Sequence, residues 1–151
     1  MGKRAILAAL VLLAGGCGKK TDANRAALEK QFAESLSGAT LEGHYTMGRD
    51  GKLREDKYTI QKVSKIGGNL WLFEARVQYG SRDVTVPMPL PVEWAGDTPV
   101  VELTDLTIPG LGTYTARVLF YKDQYVGTWK HKDAGGQLFG RIVKNAGERR
   151  N

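Results

Sequence analysis

The sequence predicts an all-β fold, an antiparallel up-and-down barrel of about eight strands preceded by a short helical tether. Nineteen Gly and five Pro in 151 residues interrupt the chain too often for a helical bundle. From residue 40 onward, apolar residues recur at every second position between short turns. No connection is long enough for a crossover helix, so consecutive strands are expected to pair antiparallel.

A two-sheet β-sandwich is the alternative architecture for this number of strands. The barrel is favoured by Gly43, Gly127 and Gly140, which lie inside predicted strands on the apolar parity. A tightly curved wall needs glycine at such positions.

Residues 1–16 have the composition of an export signal that is cleaved. Lys3 and Arg4 precede an apolar run from Ala5 to Ala14. A bilayer span needs ~20 apolar residues, so this run is too short to cross stably. Its length and basic start are instead typical of a signal peptide. Two glycines then precede Cys17, the single cysteine of the chain.

Residues 1–17 resemble the lipobox signal of bacterial lipoproteins. That family favours Leu three residues before the cysteine, where this chain has Ala14. The resemblance implies cleavage before Cys17, a thioether to diacylglycerol and acylation of the new amino group. Two or more acyl chains hold a protein on a membrane stably, so the expected membrane contact is this covalent lipid. Gly18, where retained family members carry Asp, implies an outer-membrane protein of the cell envelope that faces the periplasm. The alternative is a secretory signal cut elsewhere.

The mature chain divides into a tether over 17–39, a barrel domain over 40–144 and a polar, flexible tail over 145–151. In the tether, Asp22 is the predicted N-cap of a helix over 23–36. Its narrow stripe of Leu28, Phe32 and Leu36 favours loose packing or partial fraying.

The barrel strands follow from the period of two. They are predicted over 40–47, 58–66, 71–79, 84–94, 99–108, 114–120, 125–129 and 138–142. Pro87, Pro89 and Pro91 occupy the opposite parity of the fourth run and cannot donate to a ladder. This strand is therefore expected to lie at an edge or to break in two.

Eight aromatic residues on the apolar parity form the most suggestive set of side chains. They could line a cavity for a small apolar ligand, or they could fill the interior. Large side chains commonly fill an eight-stranded barrel, so a filled interior is the expectation. The set comprises Trp71, Phe73, Tyr79, Trp94, Tyr114, Phe120, Tyr125 and Trp129.

The strand pattern also resembles the lipocalin-like (calycin) barrels. The shared features are the eight-strand meander, Gly127-Thr128-Trp129 as a Gly-x-Trp motif, and Arg141 as a partner that stacks on Trp129. The motif stands on the first strand in that family and on the penultimate strand here, so the resemblance implies architecture only. The ending that includes Phe139 to Ile142 also looks like that of small lipoproteins without an assigned activity.

No pattern in the sequence indicates catalysis, a cofactor or a metal. His44 and His131 are the only histidines, and both are expected to be exposed to solvent. Cys17 would be alkylated, and the carboxylates stand singly along the strands. After loss of Lys3 and Arg4 the formal charge falls from +6 to +4, with scattered basic residues, which excludes nucleic-acid binding.

Three non-enzymatic functions are consistent with these observations. The first is a membrane-anchored binding or structural domain whose partner is an envelope protein. The second is a lipocalin-like carrier of a small apolar ligand. The third is an inhibitor of a wall-degrading enzyme that acts through a loop at 48–55 or 109–112.

Overall fold

A computed structural model of the chain describes residues 17–144. The side chains of residues 17–21 and of Tyr79 are outside this description, as are the predicted signal over 1–16 and the predicted tail over 145–151. One helix precedes eight strands: α1(Cys17–Leu36), β1(Ala39–Thr46), β2(Leu53–Gly67), β3(Leu70–Tyr79), β4(Arg82–Ala95), β5(Thr98–Ile108), β6(Gly112–Tyr121), β7(Gln124–His131) and β8(Ala134–Lys144).

The strands form a closed antiparallel barrel in chain order, in which β8 pairs with β1. The up-and-down barrel predicted from the sequence is confirmed, and the sandwich alternative is wrong. Several strands are longer than predicted. β2 begins at Leu53 rather than Tyr58, and β8 begins at Ala134 rather than Leu138. The polar residues of both extensions still pair with a neighbouring strand, which the period of apolar residues cannot reveal.

Glycine shapes the wall where β7, β8 and β1 meet. Gly43 and Gly140 lie opposite each other in the β1–β8 register. A Cβ atom on Gly43 would collide with the backbone of Phe139, and one on Gly140 would collide with the backbone of Glu42. Gly127 is equally constrained by the backbone of β6. At these three glycines the neighbouring backbone lies too close for any side chain, which is consistent with the curved wall that was predicted.

β4 is a single continuous strand, so of the two expectations for its prolines, an edge or a break, the break is wrong. It pairs with β3 from Arg82 to Pro91, but with β5 only over Val92–Ala95. Backbone N–H groups alternate between the two sides of a strand, so the nitrogens of its three prolines face the side without a partner. The proline-rich segment thus has an edge on one side within a closed barrel.

α1 packs across the end of the barrel where β1 begins. It starts at Cys17 rather than at Ala23, so Asp22 lies inside the helix and is not its N-cap. Phe32 is 4% exposed and Leu36 is fully buried. The expectation of loose packing is therefore wrong, because the barrel end supplies the apolar surface that an isolated narrow stripe lacks.

Polar contacts hold α1 at this end. The Lys65 ammonium lies 2.7 Å from both carboxylate oxygens of Glu29. Lys144 at the end of β8 donates to the Glu34 carbonyl in the last turn of α1, and to the Ser37 carbonyl just after the helix at 2.6 Å. The Arg25 guanidinium lies 4.7 Å from the centroid of the Trp94 ring. β2, β4 and β8 therefore each contribute a contact that fixes the helix against the barrel.

Candidate ligand cavity

The barrel encloses a cavity of about 370 Å³. This volume lies within the range of small-molecule sites, about 300–1,000 Å³. The expectation of a completely filled interior is therefore wrong. Apolar side chains from every strand line the cavity, among them Leu41, Ile60, Phe73, Leu90, Leu103, Ala116 and Leu138.

Phe32 of α1 closes one end of the barrel. Its ring packs edge-on against Trp71, with ring centroids 5.3 Å apart, and against Trp94 at 5.9 Å. It also contacts Phe73 and Phe120, each at 6.1 Å. Phe73 and Phe120 also line the cavity, so the cluster lies between α1 and the cavity.

The eight aromatic residues singled out in the sequence have two different roles. Trp71 and Trp94 pack around Phe32 rather than lining the cavity. The side chain of Tyr79 lies outside the described part of the structure. Five of the set line the cavity: Phe73, Tyr114, Phe120, Tyr125 and Trp129.

Trp129 is fixed near the open end by two contacts. Its indole Nε1 donates to the Thr46 carbonyl at 3.1 Å, and its ring meets Tyr45 edge-on at 5.8 Å. Arg141 is exposed and pairs in register with Glu42, on the outer parity of β8. This placement corrects the prediction that Arg141 stacks on Trp129, because the two side chains lie on opposite faces of the wall.

A buried polar cluster that the sequence analysis missed adjoins the cavity. Asp56 is 5% exposed. Its Oδ2 accepts a hydrogen bond from the Tyr58 hydroxyl at 3.0 Å, and its Oδ1 accepts one from the Tyr125 hydroxyl at 3.1 Å. Both tyrosine side chains line the cavity. The available signal was parity, since Asp56 shares the inward parity of Tyr58 and Ile60 within a polar run.

Burial controls the acid–base properties of this cluster. Loss of hydration raises the pKa of Asp56 above its ordinary value, and the two phenol donors offset only part of that effect. Burial and the adjacent Asp56 also raise the pKa of Tyr125, so its hydroxyl stays protonated and acts as a donor. The cluster is consequently a hydrogen-bonded structural unit.

The open end of the barrel carries polar side chains that also line the cavity. His131 is half-buried, and its ring stacks on Tyr114 with centroids 4.6 Å apart. Its Nδ1 donates to the Thr113 carbonyl at 2.7 Å. The guanidinium of Arg82 donates to the Gly110 carbonyl at 3.2 Å. His131 was expected to be exposed and is partly buried instead, because Gly112, Thr113 and Tyr114 at the start of β6 lie against its ring.

The remaining sequence candidates lie away from the cavity. His44 is on the outer parity of β1, half-exposed beside Phe139, with ring centroids 6.2 Å apart. Cys17 is the first residue of α1, and its side chain is not described, so its lipidation stays a prediction. Over residues 17–144, no group of three metal-ligating side chains occurs, and no helix has the length and hydropathy of a membrane span.

The geometry is that of an apolar chamber that is closed toward α1 by aromatic side chains and open at the end that carries the polar rim. Such a site can hold a small apolar molecule, and it presents no activated nucleophile in the described residues. Comparison of the chain with protein families, with curated protein sequences and with solved structures finds no match.

Proposed function

We propose that the protein is a membrane-anchored, non-enzymatic binding domain that holds a small apolar molecule inside its barrel. The observation that carries this proposal is the cavity of about 370 Å³ lined by apolar side chains. The side chains around an empty apolar cavity lack dispersion contacts on one side. A cavity of this size therefore destabilises the fold unless a bound molecule restores those contacts.

The floor of the chamber supports the same proposal. Phe32 seals one end with four aromatic contacts, while residues at the other end, such as Met47 and Arg82, are both exposed and part of the lining. A ligand would therefore enter and leave at one end only. This arrangement suits retention of a small molecule better than passage through the barrel.

We further propose that Cys17 carries lipid and holds the domain at the periplasmic face of the outer membrane. α1 begins at Cys17 and continues without interruption to the barrel floor. An acylated Cys17 would place the anchor on the helix that closes the barrel. The open end would then remain accessible from the aqueous side.

Inhibition of a wall-degrading enzyme has less support. The turn at 109–112 is held against β4, since the Gly110 carbonyl accepts from Arg82 and a Cβ on Gly110 would contact Val84. In the other candidate segment, β2 already begins at Leu53. Neither segment forms the long protruding loop that entry into an enzyme cleft would require.

A pair of matched variants tests the carrier function. Ala116→Phe adds a ring inside the cavity, whereas Thr128→Phe adds the same ring on the exposed outer face of β7. Binding of an environment-sensitive apolar fluorophore would be titrated in both. We expect Ala116→Phe to lose at least tenfold in affinity, with a far-ultraviolet circular dichroism spectrum like wild type. Equal binding by both variants, or none by wild type, would refute the proposal.

A further inference from the structure

We infer that the bound molecule is a single-chain amphiphile with an anionic headgroup, which Arg82 and His131 hold at the open end while its chain lies in the cavity. This inference rests on the proposed carrier function. Both residues line the cavity and also line the polar depression at the rim. A molecule that extends from the apolar chamber to the rim must therefore pass them.

Arg82 has unused capacity to bind an anion. In the described part of the chain, the Arg82 guanidinium makes one hydrogen bond, to the Gly110 carbonyl at 3.2 Å. The neighbouring carboxylate of Asp83 is instead paired with Arg76, at 2.6 Å. A guanidinium offers five donors in a planar fork that fits carboxylate and phosphate. Arg82 is thus a cation at the cavity mouth without an acidic partner among residues 17–144.

His131 is held in position to assist Arg82. Its Nδ1 donates to the Thr113 carbonyl, and its ring is stacked on Tyr114. Gly112 leaves the space for this ring, because a Cβ there would lie 2.6 Å from the His131 Cε1 atom. Nε2 remains as the second polar atom of the ring.

The turns around the open end add further positive charge. Arg49, Lys52 and Lys132 are exposed there and have no ion pair within the described chain. Asp50, on the same rim, is paired with Arg54 at 2.8 Å.

The rim also carries carboxylates: Asp105 lines the polar depression beside the cations Arg82, Lys130 and Lys132, and Asp133 lies in the β7–β8 turn. The cations are in excess, and an excess of one sign of charge favours ligands of the opposite charge. The rim therefore attracts an anionic headgroup and repels a cationic one.

Asp56 does not compete as a recognition site for a cationic headgroup. Each of its carboxylate oxygens already accepts a phenol hydrogen bond, at 3.0 and 3.1 Å. Recruiting it to a ligand would break the Tyr58 and Tyr125 contacts inside the barrel. The unpaired cations at the rim are the less costly partners for a charged ligand.

Four probes of one chain length separate headgroup recognition from apolar binding. Dodecanoate, dodecyl phosphate, dodecanol and dodecylammonium would be titrated by calorimetry into protein purified from cells, after co-purified lipid has been removed. We expect both anions to bind about tenfold more tightly than dodecanol, since charge-assisted hydrogen bonds contribute on this scale. The preferred anion distinguishes a fatty-acid ligand from a phosphorylated one.

Arg82→Gln is the decisive variant, with Lys62→Gln as its control. Lys62 is exposed on β2 and lies outside the cavity lining, so its replacement removes the same charge from a different place. Arg82→Gln should bind both anions only about as well as it binds dodecanol. Lys62→Gln should behave as wild type with all four probes.

The outcomes separate this inference from the carrier function itself. Dodecanol binding that equals anion binding, or tighter binding of dodecylammonium, overturns the anionic headgroup and leaves the carrier function standing. An Arg82→Gln variant that keeps its preference for anions overturns the role of Arg82. Failure of wild type to bind any of the four probes overturns both proposals.

Discussion

Tyr125 donates a hydrogen bond to Asp56 across the inside of the barrel, at 3.1 Å and over a sequence separation of 69 residues. β8 and β1 lie between the two strands that carry them. The tyrosine crosses this distance because the intervening inward positions are Gly43 and Gly140. A Cβ on Gly43 would lie 2.5 Å from the Tyr125 hydroxyl oxygen, so the glycines and the hydrogen bond depend on each other.

Replacing Gly43 by Ala should destabilise the barrel. The added methyl would meet both the Phe139 backbone and the Tyr125 hydroxyl, and neither can move freely. Overpacking of this kind costs about 1–3 kcal/mol. We expect a fall in the free energy of unfolding of at least about 2 kcal/mol in urea denaturation. Gly67→Ala is the control, because a Cβ there has no atom within 4 Å. Equal stability of the two variants would contradict the packing described for Gly43.

Asp56→Asn should alter how stability depends on pH. The raised pKa of Asp56 means that the folded chain holds this proton more firmly than the unfolded chain does. The resulting contribution to stability is fully present below the unfolded value near 3.8 and is lost as pH rises through the higher folded pKa. Relative to the Asp56→Asn variant, the wild type should therefore lose stability over that window.

The comparison with Asp56→Asn matters because other carboxylates act in the opposite direction. Arg54 lowers the pKa of Asp50, and Arg76 lowers that of Asp83. Their contributions are present above 3.8 and are lost as pH falls, and they cancel in the difference between variant and wild type. Thermal melts of both proteins from pH 3 to 8 would measure this difference in stability. A constant difference across that range would refute the proposed titration of Asp56.

Phe32→Ala should release α1 from the barrel floor. The ring is 4% exposed and packs on four aromatic partners, so its removal leaves a cavity against rigid neighbours. Phe→Ala substitutions in cores cost about 3–5 kcal/mol. Hydrogen exchange of residues 22–36 should accelerate in this variant and stay slow in Gln31→Ala, whose side chain is exposed. Unchanged exchange in Phe32→Ala would show that the helix is held by its polar contacts instead.

Cys17→Ala should abolish lipid attachment. Cells that express wild type or the variant would be labelled with a clickable fatty-acid analogue, and the protein would be recovered by an affinity tag at its carboxyl terminus. We expect label on wild type alone, with the unlabelled variant released from the membrane fraction. Equal labelling of both chains, or wild type that retains residues 1–16, would exclude the predicted anchor.

The barrel was predictable because its apolar residues alternate with a period of two, and because Gly43, Gly127 and Gly140 lie inside strands, where the backbone of neighbouring strands leaves no room for a side chain. The start of α1 could not be predicted, because the residues directly after Cys17 are mostly polar and show no helical pattern of apolar residues. Whether side chains fill the interior depends on the volume that the strands enclose, and the sequence does not give this volume. Asp56 was overlooked because its partner Tyr125 is distant in the chain, and no local spacing connects them.

The one-sided pairing of β4 determines where the wall can yield. From Arg82 to Pro91, β4 is not paired with β5. The other neighbouring strands of the barrel are paired by backbone hydrogen bonds. Widening the barrel there would break no paired backbone register between these two described segments, and it would disrupt the Arg82 contact to Gly110. The three prolines have no backbone N–H group, so a strand of another molecule would find no hydrogen-bond donors at these positions of the edge. We therefore expect the barrel to widen first between β4 and β5, and we expect this edge not to pair with a strand of another chain.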